Sequence, residues 1–279
     1  MKKICLLIMV ALFNFEAYAQ LAPAPQPLED FKTIGTSKYE VRYSFKFKNH
    51  HTDSQYIEDT RVVQIGDAIV KDYSDVIYHF DSLATVNFRK GLPTSSNTNV
   101  TLPCEIFNFH KTRQTKVKYR LILNAGVLCY DDLYPVLEWD FSSESPIEIM
   151  GYTCGKATIK FAGREYAVWY TMDIPLPYGP YKFHGLPGLI LKVEESNGMY
   201  IWEAFSIAKS ATPINLYTYE KEIKCTRNDA AKTIVRMNSK PMTFLSTSGS
   251  RIMVARKDGS FGAPDSNENE ILYEPIELE

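Results

Sequence analysis

Histidine is scarce in this chain, five residues among 279, and no H-E-x-x-H pair is present on which a metallohydrolase could be built. No G-x-S-x-G elbow occurs, and Ser248-Gly249-Ser250 is followed by no histidine that would orient a nucleophile. Gly155-Lys156-Ala157-Thr158 has the end of a phosphate-binding loop but lacks its upstream glycine and its strand-to-helix setting. Asp265, Asn267 and Asn269 fit the first positions of a calcium loop, yet Glu270 replaces the glycine and Ile276 the bidentate glutamate. His50-His51 with Asp53 is a possible set of metal ligands, but it falls in a predicted hairpin turn and reads as a solvated loop. No catalytic residue, metal or cofactor is therefore expected, and a non-enzymatic role is.

Charge of one sign is also lacking. The net charge is -2 and the basic residues are dispersed, which argues against a nucleic-acid surface. Apolar runs are short: Leu186 to Val193 and Val127 to Leu137 carry Lys192, Asp131 and Pro135, and neither reaches the ~20 residues of a membrane span. The N-terminus has its own pattern. Lys2 and Lys3 precede the apolar Ile4 to Phe13, and Ala17-Tyr18-Ala19 offers small residues to a signal peptidase. A signal peptide over residues 1–19, cleaved before Gln20, is expected, with export to the periplasm or beyond. No cysteine stands at that junction, so no lipid anchor is expected. Four cysteines remain: Cys104, Cys129, Cys154 and Cys225. They show no C-x-x-C spacing, so disulfides are expected ahead of zinc, with all three connectivities open.

Tyrosine and phenylalanine are plentiful, 18 and 15, while strong helix-forming runs are few, a balance that suits pleated sheets. Tyr39, Val41, Tyr43, Phe45 and Phe47 alternate with Glu40, Arg42, Ser44 and Lys46, which predicts a half-buried strand, and Tyr56 to Ile65 predicts its hairpin partner. Strands are predicted over Cys104–Phe109, Lys116–Asn124 and Val127–Tyr130. Hairpins are predicted at Ala162-Gly163 and at Ser196-Asn197-Gly198. Between Asp67 and Asn87 apolar spacings of three and four favour an amphipathic helix, with a broken strand as the alternative. A second helix is predicted over Asp229–Met237, capped by Asn228 and ended by Asn238 and Pro241. The expected fold is mainly β, an antiparallel curved sheet or half-barrel of successive hairpins with one or two packed helices. Residues 20–37, rich in proline, read as an extended leader, and residues 38–279 as a single domain.

The densest punctuation lies at Gly179-Pro180-Tyr181-Lys182-Phe183-His184-Gly185-Leu186-Pro187-Gly188-Leu189-Ile190. With Gly151-Tyr152-Thr153-Cys154-Gly155-Lys156, Phe161-Ala162-Gly163-Arg164-Glu165-Tyr166 and the closing Glu274-Pro275-Ile276-Glu277-Leu278-Glu279, this segment resembles the GLPGLI family of secreted bacterial proteins. The resemblance implies an exported, β-rich protein of a Gram-negative bacterium and supplies no activity and no site residues.

Physically, Gly179, Gly185 and Gly188 permit positive φ or close backbone approach, and Pro180 and Pro187 stiffen the loop. Leu186 and the aromatics then either plug the end of the sheet or wall a cleft in which Tyr178, Tyr181, Phe183 and His184 meet a ligand. The expected function is a non-enzymatic binding module for a hydrophobic or peptide-like ligand or an envelope partner protein. An accessory subunit of an outer-membrane or surface complex comes second, and a hydrolase with dispersed residues third.

Overall fold

The computed structural model describes residues 21–248 apart from 95, 96 and 98, and the stretches 9–10, 253–255, 260–262 and 269–278. After a two-residue strand β1 (Met9–Val10), the chain runs through β2 (Phe31–Phe47), β3 (Ile57–Gly66), β4 (Ile69–Ser74), α1 (Asp75–Arg89), β5 (Cys104–Phe109), β6 (Gln114–Arg120) and β7 (Val127–Leu133). It continues through β8 (Asp140–Phe141), β9 (Ile147–Ile149), β10 (Tyr152–Phe161), β11 (Arg164–Thr171), β12 (Leu189–Glu195), β13 (Tyr200–Lys209), β14 (Pro213–Tyr217) and β15 (Glu222–Lys224). Helices α2 (Arg227–Ser239) and α3 (Pro241–Thr247) and strands β16 (Met253–Ala255) and β17 (Phe261–Gly262) follow. An open sheet of 14 strands has the order β15-β7-β6-β5-β4-β3-β2-β13-β12-β11-β10-β8, with β14 beside β2 and β9 beside β10. Its pairings are antiparallel except that of β15 with β7, so the β-rich, hairpin-built architecture is as expected. Strands β1, β16 and β17 form a small separate sheet.

Local sequence explains most elements. In β2, Val41, Tyr43, Phe45 and Phe47 are buried while Lys46 is exposed and Glu40, Arg42 and Ser44 are half-buried, the division that the alternation predicts. Phe45 stacks on Trp202 of β13 with ring centroids 4.5 Å apart, across a strand pair that continues for most of both strands. The β10–β11 hairpin closes through Ala162 and Gly163, both at positive φ, which is the type I′ geometry that matches strand twist.

The ambiguous stretch after Asp67 is both things in turn. Strand β4 is buried on both faces, including Lys71 and Asp72, so its period of two is hidden. Ser74 then caps α1 by accepting from the Ile77 N–H, and Asp75 sits in the first turn beside the positive helix end.

At the other end, Thr226 rather than Asn228 caps α2, accepting from the Asp229 N–H at 3.1 Å. Pro241 does not merely stop that helix: it occupies the first turn of α3, where its missing N–H costs nothing. That makes three helices among the described residues.

The sheet must coil strongly. Going from β5 to β11 takes six steps through β4, β3, β2, β13 and β12, roughly 29 Å if the sheet were flat. Yet Tyr181 bonds Asn108 of β5 while Phe183, two residues on, packs edge-on to Tyr166 of β11 at 4.9 Å. One loop therefore bridges two wings of the sheet, and the core lies in the hollow between them.

The proline-rich leader is tied down against α1. Asp81 of α1 accepts from the Gln26 N–H at 2.8 Å and Thr85 from the Leu28 N–H at 2.8 Å, and β2 itself begins at Phe31. Apart from β1, the expected signal peptide lies outside the described residues.

The disulfide expectation is corrected: all four cysteines are free. Cys104 and Cys154 are buried on β5 and β10, far apart in strand order. Cys129 and Cys225 are neighbours across β7 and the end of β15, but each thiol turns to a backbone carbonyl, of Val127 and Cys129 respectively.

Candidate functional site

The glycine-proline segment fills the hollow, and its glycines serve different needs. Gly185 has φ +91, a region that L side chains avoid, whereas Gly179 and Gly188 are placed by contact. A Cβ on Gly188 would lie 1.9 Å from the Thr171 carbonyl oxygen, and one on Gly179 would lie 2.7 Å from the Ile190 Cβ. Between them, Tyr181 holds φ +59, a conformation that costs a bulky residue about 1–2 kcal/mol.

Three hydrogen bonds fix Tyr181 there. Its N–H donates to Asp72 Oδ2 at 2.7 Å, its carbonyl accepts from Asn108 Nδ2 at 3.1 Å, and its hydroxyl donates to Glu277 Oε1 at 2.6 Å. Asp72 also accepts twice from Arg61, whose other donors reach the Leu102 and Cys104 carbonyls at 2.8 and 2.9 Å. A buried ion pair on β3 and β4 thus positions the loop.

Phe183 and Leu186 take the plug role. Both are essentially inaccessible, and Phe183 packs against Phe161, Tyr166 and Trp202. Lys182 lines a cavity of about 580 Å³, and the buried Tyr181 ring borders the same cavity while stacking on Trp202 at 6.1 Å. Its floor is Cys104 and Ile106 of β5, Val117 and Tyr119 of β6, and Tyr130 of β7. Helix α2 forms a wall through Ala231, Ile234 and Val235.

Another wall is the strap Tyr273 to Leu278. The strap is pinned along its length: Arg164 donates to the Pro275 and Ile276 carbonyls, and the Leu278 N–H donates to the Ala162 carbonyl at 3.0 Å.

Charged side chains line the cavity in more than one place: Lys232, Arg236 and the pair Lys240–Glu270 contribute, and a further cluster gathers at Lys182. Lys182 Nζ lies 2.8 Å from Asp132 Oδ2 and 2.6 Å from Glu277 Oε1, and Arg227 Nη2 lies 2.9 Å from Glu277 Oε2. Burial works to raise the Glu277 carboxyl, but Lys182, the Tyr181 hydroxyl and Arg227 outweigh it and hold it below the ordinary range. The Cys104 thiol is pushed up by burial to about 12, in spite of Arg61, and so stays protonated and unreactive.

Tyr178 and His184 lie outside the cavity wall. They belong to a stack on the outer side of the loop, in which His184 packs on Tyr134 at 4.1 Å and His110 on Tyr178 at 4.4 Å. His184 Nε2 faces the Pro135 carbonyl at 3.1 Å, and the Trp139 indole N–H donates to the His184 carbonyl at 3.0 Å. Burial pushes both imidazoles down to about 4; for His184 the charges of His110 and Arg113 add to this and the Pro135 carbonyl opposes it.

A pH dependence follows with a definite sign. A base whose folded pKa is depressed stabilises the fold fully above its unfolded value of about 6.5, and that stability is lost as pH falls toward the folded value. The urea midpoint is expected to fall between pH 7 and pH 4.5, and the fall to shrink in the double variant His110→Gln, His184→Gln. A wild-type-minus-variant difference that stays constant with pH would contradict the assignment.

Sequence reasoning placed Tyr181 in the ligand-facing set but missed its supports. Lys182, Asp132, Arg227 and Glu277 are far apart in the chain, and Arg61 and Asp72 look like ordinary strand charges until the fold buries them. Lys156 of the incomplete phosphate loop lies on strand β10, with its ammonium against Glu144 and the Trp169 ring. Of the incomplete calcium loop, Asp265 and Asn267 lie outside the described residues, as do Gly249 and Ser250.

A family model described as a protein of unknown function (Porph_ging) matches residues 162–192, the stretch from the β10–β11 turn into β12. No curated protein matches the sequence. Among solved structures, PNGF-II is similar in two crystal forms. The C2 form has 18% identity and a TM-score of 0.51, and the P21 form 17% and 0.49. Each covers 73% of this chain but only 34% of the PNGF-II chain, so this protein matches about a third of that one's length. At that identity the C2 form shows a shared fold. The chain is therefore similar, over residues 162–192, to a family of unknown function and, over 73% of its length, to about a third of PNGF-II.

Proposed function

We propose that this protein is an exported, non-enzymatic binding module that holds a hydrophobic or peptide-like ligand between β5–β7 and α2. The observation that carries the reading is the cavity of about 580 Å³, inside the ~300–1,000 Å³ range of small-molecule sites. Its floor is apolar and phenolic, and its charged groups stand on the walls: Lys182, Arg227 and Glu277 pair with one another and with Asp132 just outside the lining, while Lys232, Arg236, Lys240 and Glu270 line it as well. That division suits a ligand with an apolar body and one polar terminus. Tyr181 is the residue that couples ligand contact to the loop, because its ring lines the cavity while its backbone is held by Asp72 and Asn108.

The test is steric. Ala231 is exposed on α2 and lines the cavity, so Ala231→Trp narrows the space without touching the core. Uptake of an apolar probe is expected to weaken strongly in that variant.

A further inference from the structure

We infer that His50, His51 and Glu274 form a binding site for one divalent transition-metal ion of the zinc class. The histidines lie in the turn between β2 and β3, and Glu274 arrives from the chain end, so the fold assembles what no local motif contains. His50 Nε2 is 3.2 Å from Glu274 Oε1, His51 Nδ1 is in hydrogen-bond contact with the same oxygen, and all three ligand atoms lie within 4.8 Å of one another. Two donors at ~2.0–2.1 Å from a tetrahedral zinc ion stand roughly 3.3 Å apart, close to the spacing already present, so small side-chain rotations, chiefly of the exposed His51, suffice to admit an ion. Two imidazoles and a carboxylate suit zinc, copper or nickel, and the composition excludes a calcium-type oxygen cage.

The donors are already oriented. His50 Nδ1 lies 2.7 Å from Thr52 Oγ1 and accepts from the Thr52 N–H at 3.3 Å, contacts that hold the ring with Nε2 turned toward Glu274, where an ion would replace the Nε2 proton. Asp53, the carboxylate nearest in sequence, is used otherwise: its Oδ2 accepts from the Asn49 and His50 N–H groups and shapes the turn. Glu274 is held by its backbone, the N–H donating to the Asn49 carbonyl at 2.6 Å and the carbonyl accepting from Tyr200 at 3.0 Å. Arg164 Nη2 approaches the other oxygen, Oε2, at 3.8 Å and leaves Oε1 to the imidazoles. The His51 side chain is 59% exposed, which leaves an open side for water or a further ligand. A bound ion would tie the strap to the β2–β3 turn.

The experiment uses the full, tag-free chain stripped with a chelator. Zn2+ is titrated by calorimetry, and Co2+ by visible absorption, into wild type, His51→Ala and Glu274→Gln. One ion per chain is expected in wild type, with d–d bands for Co2+. Affinity is expected to drop at least about tenfold in each variant, while circular dichroism stays unchanged. A Zn2+-dependent rise in Tm in wild type alone is the second readout. Equal Zn2+ affinity in all three proteins, or no binding in wild type, would overturn the inference.

Discussion

Gly188→Ala is expected to be the most damaging single methyl in the molecule. The added Cβ would meet the Thr171 carbonyl oxygen at 1.9 Å and its carbon at 2.6 Å, both of them backbone. Thr171 pairs with Leu189 at the start of the β11–β12 ladder, and both strands have neighbours on each side, so neither can step away. The loss is expected at the top of the overpacking range, about 3 kcal/mol or more. Gly185→Ala is the internal control. Its Cβ finds only the Trp139 Nε1 at 3.6 Å, so the cost is the positive φ alone, about 1–2 kcal/mol. Urea denaturation of the two variants measures the gap. Equal losses would show that the glycines share one conformational role.

Asp72→Ala is the second large effect. It removes both carboxylate bonds of Arg61 and the partner of the Tyr181 N–H, in a place where Asp72 and Arg61 are each 1% exposed. Arg61 would keep two carbonyls and Asp59, whose Oδ2 is 3.6 Å away. Leaving a buried guanidinium half-paired costs about 3–5 kcal/mol, and an orphaned buried N–H adds about 1–3 kcal/mol. Asp72→Asn retains an acceptor for one of the two partners and is expected to lose clearly less. Urea or thermal unfolding gives the ranking. A loss below 1 kcal/mol for Asp72→Ala would mean that the ion pair does not hold the loop.

Patterns of short range were legible before the fold was known. The alternation in β2, the Ala162-Gly163 and Asn197-Gly198 turns and the spacing in α1 report one-sided burial and turn chemistry, which depend on near neighbours. Strand β4 was not separable from α1, because covering both faces removes the polar alternation that marks a strand. The rigid loop was legible from Gly179, Pro180, Gly185, Pro187 and Gly188, but not the way it divides its aromatics. Phe183 enters the core, Tyr181 packs beside it at the edge of the cavity, and Tyr178 and His184 join an outer stack.

What sequence could not supply is long-range pairing. Tyr181 meets Asp72 at a separation of 109 residues, and His51 meets Glu274 at 223. The cysteines show the reverse error, since an even count suggested bridges that the strand order keeps apart for Cys104 and Cys154.

Binding in the cavity lined by α2 decides the proposed function. The most direct test is a fluorescence titration of anilinonaphthalene sulfonate, an apolar body with one anionic terminus, into wild type and Ala231→Trp, both shown by circular dichroism to be folded. Saturable one-to-one binding is expected in wild type, and at least tenfold weaker binding in the variant. Indistinguishable titrations, or none in wild type, would contradict the proposed function.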